Sequence, residues 1–325
     1  LSLYLLLWPI SSTSALHWTW LSSQEQPTLD WNLELDLPSI PAAYRFQIER
    51  EQDCSRHGLE LRGGGRGRVV DTLLFSSELD ILEARLHELY EWVDLIVIVE
   101  IGITYQGAPR NSTLASCLRL DNCLARFWPL LDKVHYTFVE SLPNCGVGDA
   151  WACESQHREL LLHGFLNAGG LDEDMVIVSD ADEFARASTA WTLANCEVPD
   201  RMHIETDFCY FSAHCRVKGG DLRLKAVRGG LLKELGPQAI RLHKPHGLGQ
   251  SWTILRDGGF HFSYFMSPAE MVDKIESFAH GEFNRFPFNT EMWLWDNARM
   301  CTFSVDWVHV PAVYIPTADL VYPRV

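Results

Sequence analysis

The sequence predicts an α/β protein built on a largely parallel sheet of the nucleotide-binding type. Three observations predict it. Val69-Val70-Asp71-Thr72-Leu73-Leu74-Phe75, Leu95-Ile96-Val97-Ile98-Val99 and Met175-Val176-Ile177-Val178 are short apolar runs of the kind buried on both faces of a parallel sheet. A helical pattern lies between the first two, so strand, helix and strand form a right-handed βαβ unit. The third run ends on Ser179-Asp180-Ala181-Asp182-Glu183, which clusters carboxylates at the carboxyl end of a strand, where ligands collect in open α/β sheets.

The start of the chain reads differently. Leu3 to Ile10 is a compact apolar run followed by Ser11-Ser12-Thr13-Ser14-Ala15. It is shorter than the ~20 residues that span a bilayer. Residues 1–15 therefore read as the remnant of a signal peptide or signal-anchor, with a buried N-terminal strand as the alternative. Residues 16–65, rich in Ser, Pro, Gln and acidic side chains without sustained periodicity, read as a stem or linker. Gly63-Gly64-Gly65-Arg66-Gly67 closes it; these glycines precede a strand and lack a Gly-Lys-Ser/Thr ending, so they are not a P-loop.

Residues 66–325 read as one domain. Leu79, Leu82, Leu86, Leu89 and Val93 recur at helical spacing, with Glu78, Glu83, Glu88 and Glu91 off the stripe. Val134 to Val139 is a further strand and Glu154 to Leu166 a further helix. Beyond Asp180, Arg201 to Ser212 is β-rich and aromatic, Asp221 to Ile240 carries Gly-Gly turns, and Phe260 to Phe265 alternates as a strand. Ser267-Pro268-Ala269-Glu270 is a helix start, with Ser as N-cap, Pro at N1 and Glu at N3 closing a capping box.

The chain has 325 residues and a formal net charge of −16, which argues against nucleic acid as the main partner. It also means that a phosphate-bearing ligand must be neutralised locally, by a bound cation or by placed Arg and Lys. The nine Cys show no Cys-x-x-Cys pair and so no zinc-site spacing. With a secretory start they read as up to four disulfides and one leftover thiol, with 117/123, 145/153 and 209/215 the shortest local pairings. One sequon, Asn111-Ser112-Thr113, fits the same secretory setting.

Several chemistries are missing: a Gly-rich dinucleotide fingerprint after the first strand, a Gly-x-Ser-x-Gly elbow and a His-Glu-x-x-His helix. What remains is Asp180, Asp182, Glu183, Glu100, His261, His280 and Glu282. Asp180 and Asp182, at i and i+2, point the same way if the extended conformation persists, and would then grip one hard divalent cation. An Asp-rich turn capping the next helix is the alternative. Glu100 ends the second strand at the same sheet edge, followed by Thr104, Gly107, Pro109 and Arg110. A carboxylate there suits a nucleobase or ribose hydroxyl and an Arg suits phosphate, while a solvated acidic strand end explains the pattern equally well. His261 reads as either a ligand or a hydrogen-bonded core imidazole.

Glu78-Leu79-Asp80 through Arg85, His87-Glu88-Leu89, Val99-Glu100 to Thr104 and Gly107-Ala108-Pro109-Arg110 resemble glycosyltransferase family 17. This is the family of β-1,4-mannosyl-glycoprotein β-1,4-N-acetylglucosaminyltransferases. Asp180-Ala181-Asp182-Glu183, Gly259 to Phe265 and Lys274 to Glu282 match its later segments in order, with departures at Phe260, at Ala185 and beyond residue 285. The resemblance implies a GT-A-type fold with helices on both faces of the sheet. It also implies a UDP-N-acetylglucosamine donor, a manganese or magnesium ion, a mannose of an N-linked glycan as acceptor, and a Golgi-lumen setting with a type II anchor, or secretion after signal cleavage. On that reading Asp180, Asp182 and His261 hold the metal, and Glu100, Thr104, Arg110 and Lys274 hold the donor. Inversion requires a carboxylate to accept the acceptor's proton; Glu282 is the first candidate and Asp207 the second. Trp252, Phe262, Tyr264, Trp293 and Trp295 are candidate sugar-stacking faces. A different donor or acceptor, or a non-catalytic luminal carbohydrate-binding protein, are the alternatives.

Overall fold

The computed structural model describes residues 52–244, 252–305 and 308–314; the leader at 1–15, most of the stem and the chain after Tyr314 lie outside the described residues. The sheet is built on four parallel strands, β1 (Val69–Phe75), β2 (Leu95–Ile101), β3 (Val134–Val139) and β4 (Met175–Asp180), ordered β3-β2-β1-β4. All seven residues of β1 are buried, Asp71 and Thr72 among them, as a strand covered on both faces requires. Helix α1 (Leu79–Leu89) covers one face with Leu82, Leu86 and Leu89. Two short helices, α2 (Thr113–Cys117) and α3 (Asp121–Phe127), follow β2, and α4 (Ala150–Asn167) covers the other face with Leu161 and Phe165. Helix α4 begins earlier than its apolar pattern, because the Asp149 side chain caps it by accepting from Trp151 N.

The second half extends the sheet mostly antiparallel. After β5 (Glu183–Ala185) and α5 (Ala187–Asn195) come β6 (Arg201–Tyr210), β7 (Cys215–Val217) and β8 (Asp221–Arg228), then α6 (Gly229–Leu235) and α7 (Pro237–Leu242). β9 (Thr253–Ser263), α8 (Pro268–Ser277), α9 (Glu291–Arg299), β10 (Thr302–Val305) and β11 (Val308–Tyr314) complete the eleven-stranded sheet. β8 joins antiparallel to β4, while β9 lies parallel to β6 and antiparallel to β5. Helix α8 starts with the expected capping box at Ser267 and Glu270. Gly229-Gly230 opens α6 rather than forming a turn. A Cβ on Gly229 would lie 2.0 Å from the Leu171 carbonyl oxygen, so the glycine is there for a close backbone approach.

Four disulfides form and Cys209 is the leftover thiol, buried in the core. Cys117–Cys123 and Cys145–Cys153 are the expected local pairs, but Cys209 does not pair with Cys215. Cys209 stands opposite Arg216, so its neighbour Cys215 points to the other face and bonds Cys301 instead. Cys54 bonds Cys196, and Glu197 N donates to Glu60 O, so residues from Cys54 onward pack against the sheet domain. Among the described residues no helix is long and apolar enough to cross a membrane.

The Cys54–Cys196 bridge closes a loop of sequence separation 142. Replacing both residues by Ser is expected to cost about 2–5 kcal/mol of folding free energy, read by denaturant titration. An unchanged midpoint would show that the bridge constrains nothing in the unfolded chain.

Candidate functional site

The site begins with an arginine. Arg85 on α1 is fully buried and forms a two-pronged ion pair with Asp71 of β1, through Nε at 2.7 Å and Nη2 at 2.5 Å. Its remaining donors reach the end of β4. Nη2 bonds Ser179 Oγ at 2.6 Å, and Nη1 bonds the carbonyls of Asp180 and Glu183 at 2.8 and 2.9 Å, with a longer contact to Ala181. A single guanidinium thus gathers the carbonyls of the acidic segment and turns the chain at Ala181-Asp182, after which β5 starts at Glu183.

That turn separates the two aspartates. Asp180 lies with Arg158 of α4 and, at 2.9 Å, with Arg241 of α7. Asp182 accepts from Lys274 Nζ at 3.0 Å, and the same ammonium reaches Glu78 at 2.9 Å. The extended conformation that would aim Asp180 and Asp182 at one ion does not persist. Instead, Glu183 falls in register with His261 of β9, and ligand atoms of Asp182, Glu183 and His261 all lie within 4.8 Å of one another. Gly259 permits this pairing, since a Cβ there would sit 2.6 Å from the Phe184 carbonyl oxygen. His261 is held by Asp221, 2.8 Å from Nδ1, and by Phe208, stacked at 4.1 Å.

Charge pairing settles ionisation. Burial opposes the charged form of Glu183, but Arg241 outweighs it and holds the carboxyl well below its ordinary value. Burial likewise disfavours the Lys274 ammonium, yet Asp182 and Glu78 raise its pKa well above normal. Glu78, which burial would push up, is brought down to about 2 by Lys274.

These groups line a cavity of about 560 Å³ at the carboxyl ends of the parallel strands. Its wall carries the cations Arg110, Arg158, Arg223, Arg241 and Lys274 and the anions Glu78, Glu154, Asp180, Asp182 and Glu183, so formal charges cancel within a strongly acidic chain. Arg110 and Thr104 line it as expected; Ala108 N donates to Thr104 Oγ1 at 2.9 Å, shaping the loop after β2. Glu100 does not line it. Its buried carboxylate is already engaged by Arg110 at 2.9 Å, Tyr136 Oη at 2.8 Å, Ser112 Oγ, and the backbone N–H groups of Thr113 and Leu114. It organises the loop that presents Arg110.

Asp207 is not brought to the cavity either. It is paired with Arg186 and Arg216, whereas its strand neighbour Phe208 lines the cavity, and successive strand residues face opposite ways. Glu282 is half-exposed beside the cavity, bonded to His280, which does line it. Of the aromatic candidates, Tyr264 lines the cavity; Phe262 and Trp252 are buried outside its lining, Trp293 packs against Phe303, and Trp295 is exposed.

Sequence reasoning missed Arg158, Arg241 and His157. His157 donates from Nε2 to Val99 O at 3.0 Å and receives the Tyr105 hydroxyl on Nδ1 at 2.9 Å; burial lowers its pKa to about 3, so the ring is neutral. Buried polar residues on α4 were the available signal, since adjacent His157 and Arg158 interrupt its apolar stripe.

Fold and cavity define an α/β protein with a charge-balanced cavity at the carboxyl ends of its parallel strands. The chain belongs to glycosyltransferase family 17, whose family model matches residues 2–292. It is 30% identical over 252 residues to the beta-1,4-mannosyl-glycoprotein 4-beta-N-acetylglucosaminyltransferases of Rattus norvegicus and Homo sapiens, covering 67% of this chain and 44% of each relative. The chain thus spans less than half the length of those relatives. Among solved structures it is similar to the inositol-1-phosphate CTP transferase from T. maritima, with TM-score 0.29 and 10% identity over 60% of this chain and 89% of that one, a likeness too distant to bear on function.

Arg85→Met leaves Asp71 buried without its partner and is expected to cost about 3–5 kcal/mol of stability, read by urea titration. Adding Asp71→Leu should recover much of that loss, because no buried carboxylate is then left without a partner. A double variant as unstable as Arg85→Met alone would contradict this account of the pair.

Proposed function

We propose that this chain transfers N-acetylglucosamine from UDP-N-acetylglucosamine to a mannose of an N-linked glycan, forming a β-1,4 linkage with inversion and depending on a divalent cation. The observation that carries the reading is the Asp182, Glu183 and His261 group beside Lys274, in a cavity where Arg158 and Arg241 are already largely buried and paired. The donor set fits a metal: two carboxylates and one imidazole suit manganese better than magnesium, which prefers an all-oxygen shell. When bound, such an ion supplies charge stabilisation to the departing diphosphate.

The protein's own residues divide the remaining work. Arg110 and Lys274 line the cavity and carry fixed positive charge suited to phosphate oxygens. Asp180 holds Arg158 and Arg241 in place, so those guanidiniums need no reorganisation when an anionic donor enters. Phe208 and Asp221 fix the His261 ring. We further propose a Golgi-lumen setting, through a type II anchor or after secretion; four disulfides suit an oxidising compartment.

The test is transfer of radiolabelled sugar from a panel of nucleotide sugars to N-glycan acceptors, with and without manganese. Label is expected from UDP-N-acetylglucosamine alone, and only with the cation. Asp182→Asn and Glu183→Gln should each lower transfer by at least about 100-fold and weaken manganese binding, measured by electron paramagnetic resonance. Transfer from another donor, or undiminished transfer after chelation, would overturn the reading.

A further inference from the structure

The cavity wall carries a pair to which the reading above gives no role. His280 lines the cavity, and the Glu282 carboxylate lies 2.7 Å from its Nδ1. A carboxylate at Nδ1 keeps the proton on that nitrogen and leaves the lone pair on Nε2. Among the described residues Nε2 has no hydrogen-bond partner. The ring is nevertheless held in orientation. It stacks on Phe283 at 5.0 Å with an interplanar angle of 4°, and meets the Trp151 ring nearly edge-on at 4.6 Å. Trp151, itself 45% exposed, also lines the cavity and gives it an aromatic surface next to His280. Slight burial opposes ionisation of Glu282, but the bond from His280 outweighs it and keeps the carboxyl below its ordinary value, hence anionic at neutral pH.

We propose that His280 is the catalytic base of the transfer, that Glu282 is the positioning residue that orients it, and that Trp151 is the platform for the acceptor sugar. The proposal rests on the transferase reading above and assigns its acceptor side. As the acceptor oxygen bonds to the anomeric carbon, the bond from that carbon to the donor diphosphate breaks, and its electron pair leaves with the nucleoside diphosphate. The acceptor's hydroxyl proton passes to Nε2 of His280, and the resulting imidazolium is stabilised by the Glu282 carboxylate. Glu282 does not itself line the cavity, which explains why the carboxylate acts through the imidazole.

The experiment uses the full chain with manganese, UDP-N-acetylglucosamine and a mannose-terminated N-glycan. His280→Gln should lower kcat by about 100- to 10,000-fold, while KM for the donor stays within about threefold of wild type. In His280→Gly, added imidazoles should restore turnover with a rate that rises with their basicity, which a mere filler of space would not show. Glu282→Gln should lower kcat with donor KM unchanged and shift the His280 ring nitrogens in ¹⁵N spectra away from the Nδ1–H tautomer. Trp151→Ala should raise the acceptor KM while the donor KM stays unchanged. Wild-type turnover in His280→Gln, or rescue indifferent to basicity, would overturn the dyad while leaving the transferase reading standing. A wild-type chain that transfers no sugar from any nucleotide donor would instead overturn the reading on which the dyad rests.

Discussion

The buried Asp71–Arg85 pair is the constraint on which the site depends. A buried ion pair is generally no more stabilising than well-packed apolar residues of similar volume, so its presence calls for a structural reason. Here the reason is the set of Arg85 donors left over after Asp71 is satisfied. They go to Ser179 and to the carbonyls of the acidic segment, which would otherwise be buried without partners. The chain is thereby bent at Ala181-Asp182, Asp180 is turned toward Arg158 and Arg241, and β5 is sent back along β9 so that Glu183 meets His261. Local geometry at one turn thus selects which carboxylates can share a cation.

The second constraint is charge. A net −16 chain would repel a diphosphate, yet the cavity wall is neutral because its carboxylates are matched in number by cations, several of them shared. Asp180 has two arginines, Glu183 has Arg241, and Asp182 shares Lys274 with Glu78. Such pairs keep Glu78, Glu183 and Lys274 ionised despite burial. An incoming anion and cation would therefore exchange partners with groups already desolvated and positioned, rather than order them anew.

The parallel half of the fold was legible because its signals are local. Continuous apolar runs mark β1, β2 and β4, the stripe Leu82, Leu86 and Leu89 marks α1, and Ser267 with Glu270 marks the start of α8. The site was legible only as an inventory of residue types. Glu100 looked like a ligand because nothing local shows that the Thr113 and Leu114 N–H groups fold back onto it. Arg158 and Arg241 were not singled out, since their partner Asp180 lies 22 and 61 residues away. Asp207 and Phe208 are adjacent in sequence but face opposite sides of the sheet, and which side meets the cavity follows from the pairing of β6 with β9. Cys215 escaped its near neighbour for the same reason, a one-residue offset in register.

Long-range contacts also tie the two sides of the cavity together. The loop after β2 presents Arg110, and Tyr105 N in that loop donates to Ser277 O at the end of α8. Gln106 adds bonds from Nε2 to the Ile275 and Phe278 carbonyls at 2.7 and 3.2 Å, and Asn284 Nδ2 donates to its Oε1 at 2.9 Å. The segment so gripped runs from Lys274 to Phe283 and carries both the ammonium paired with Asp182 and the His280–Glu282 pair. Anything that moves this loop must therefore move Arg110 and His280 together. Glu100, buried beneath the loop and bonded along it, sets that joint position from inside the sheet. A carboxylate outside the cavity lining thus ties Arg110 on one wall to His280 on the other.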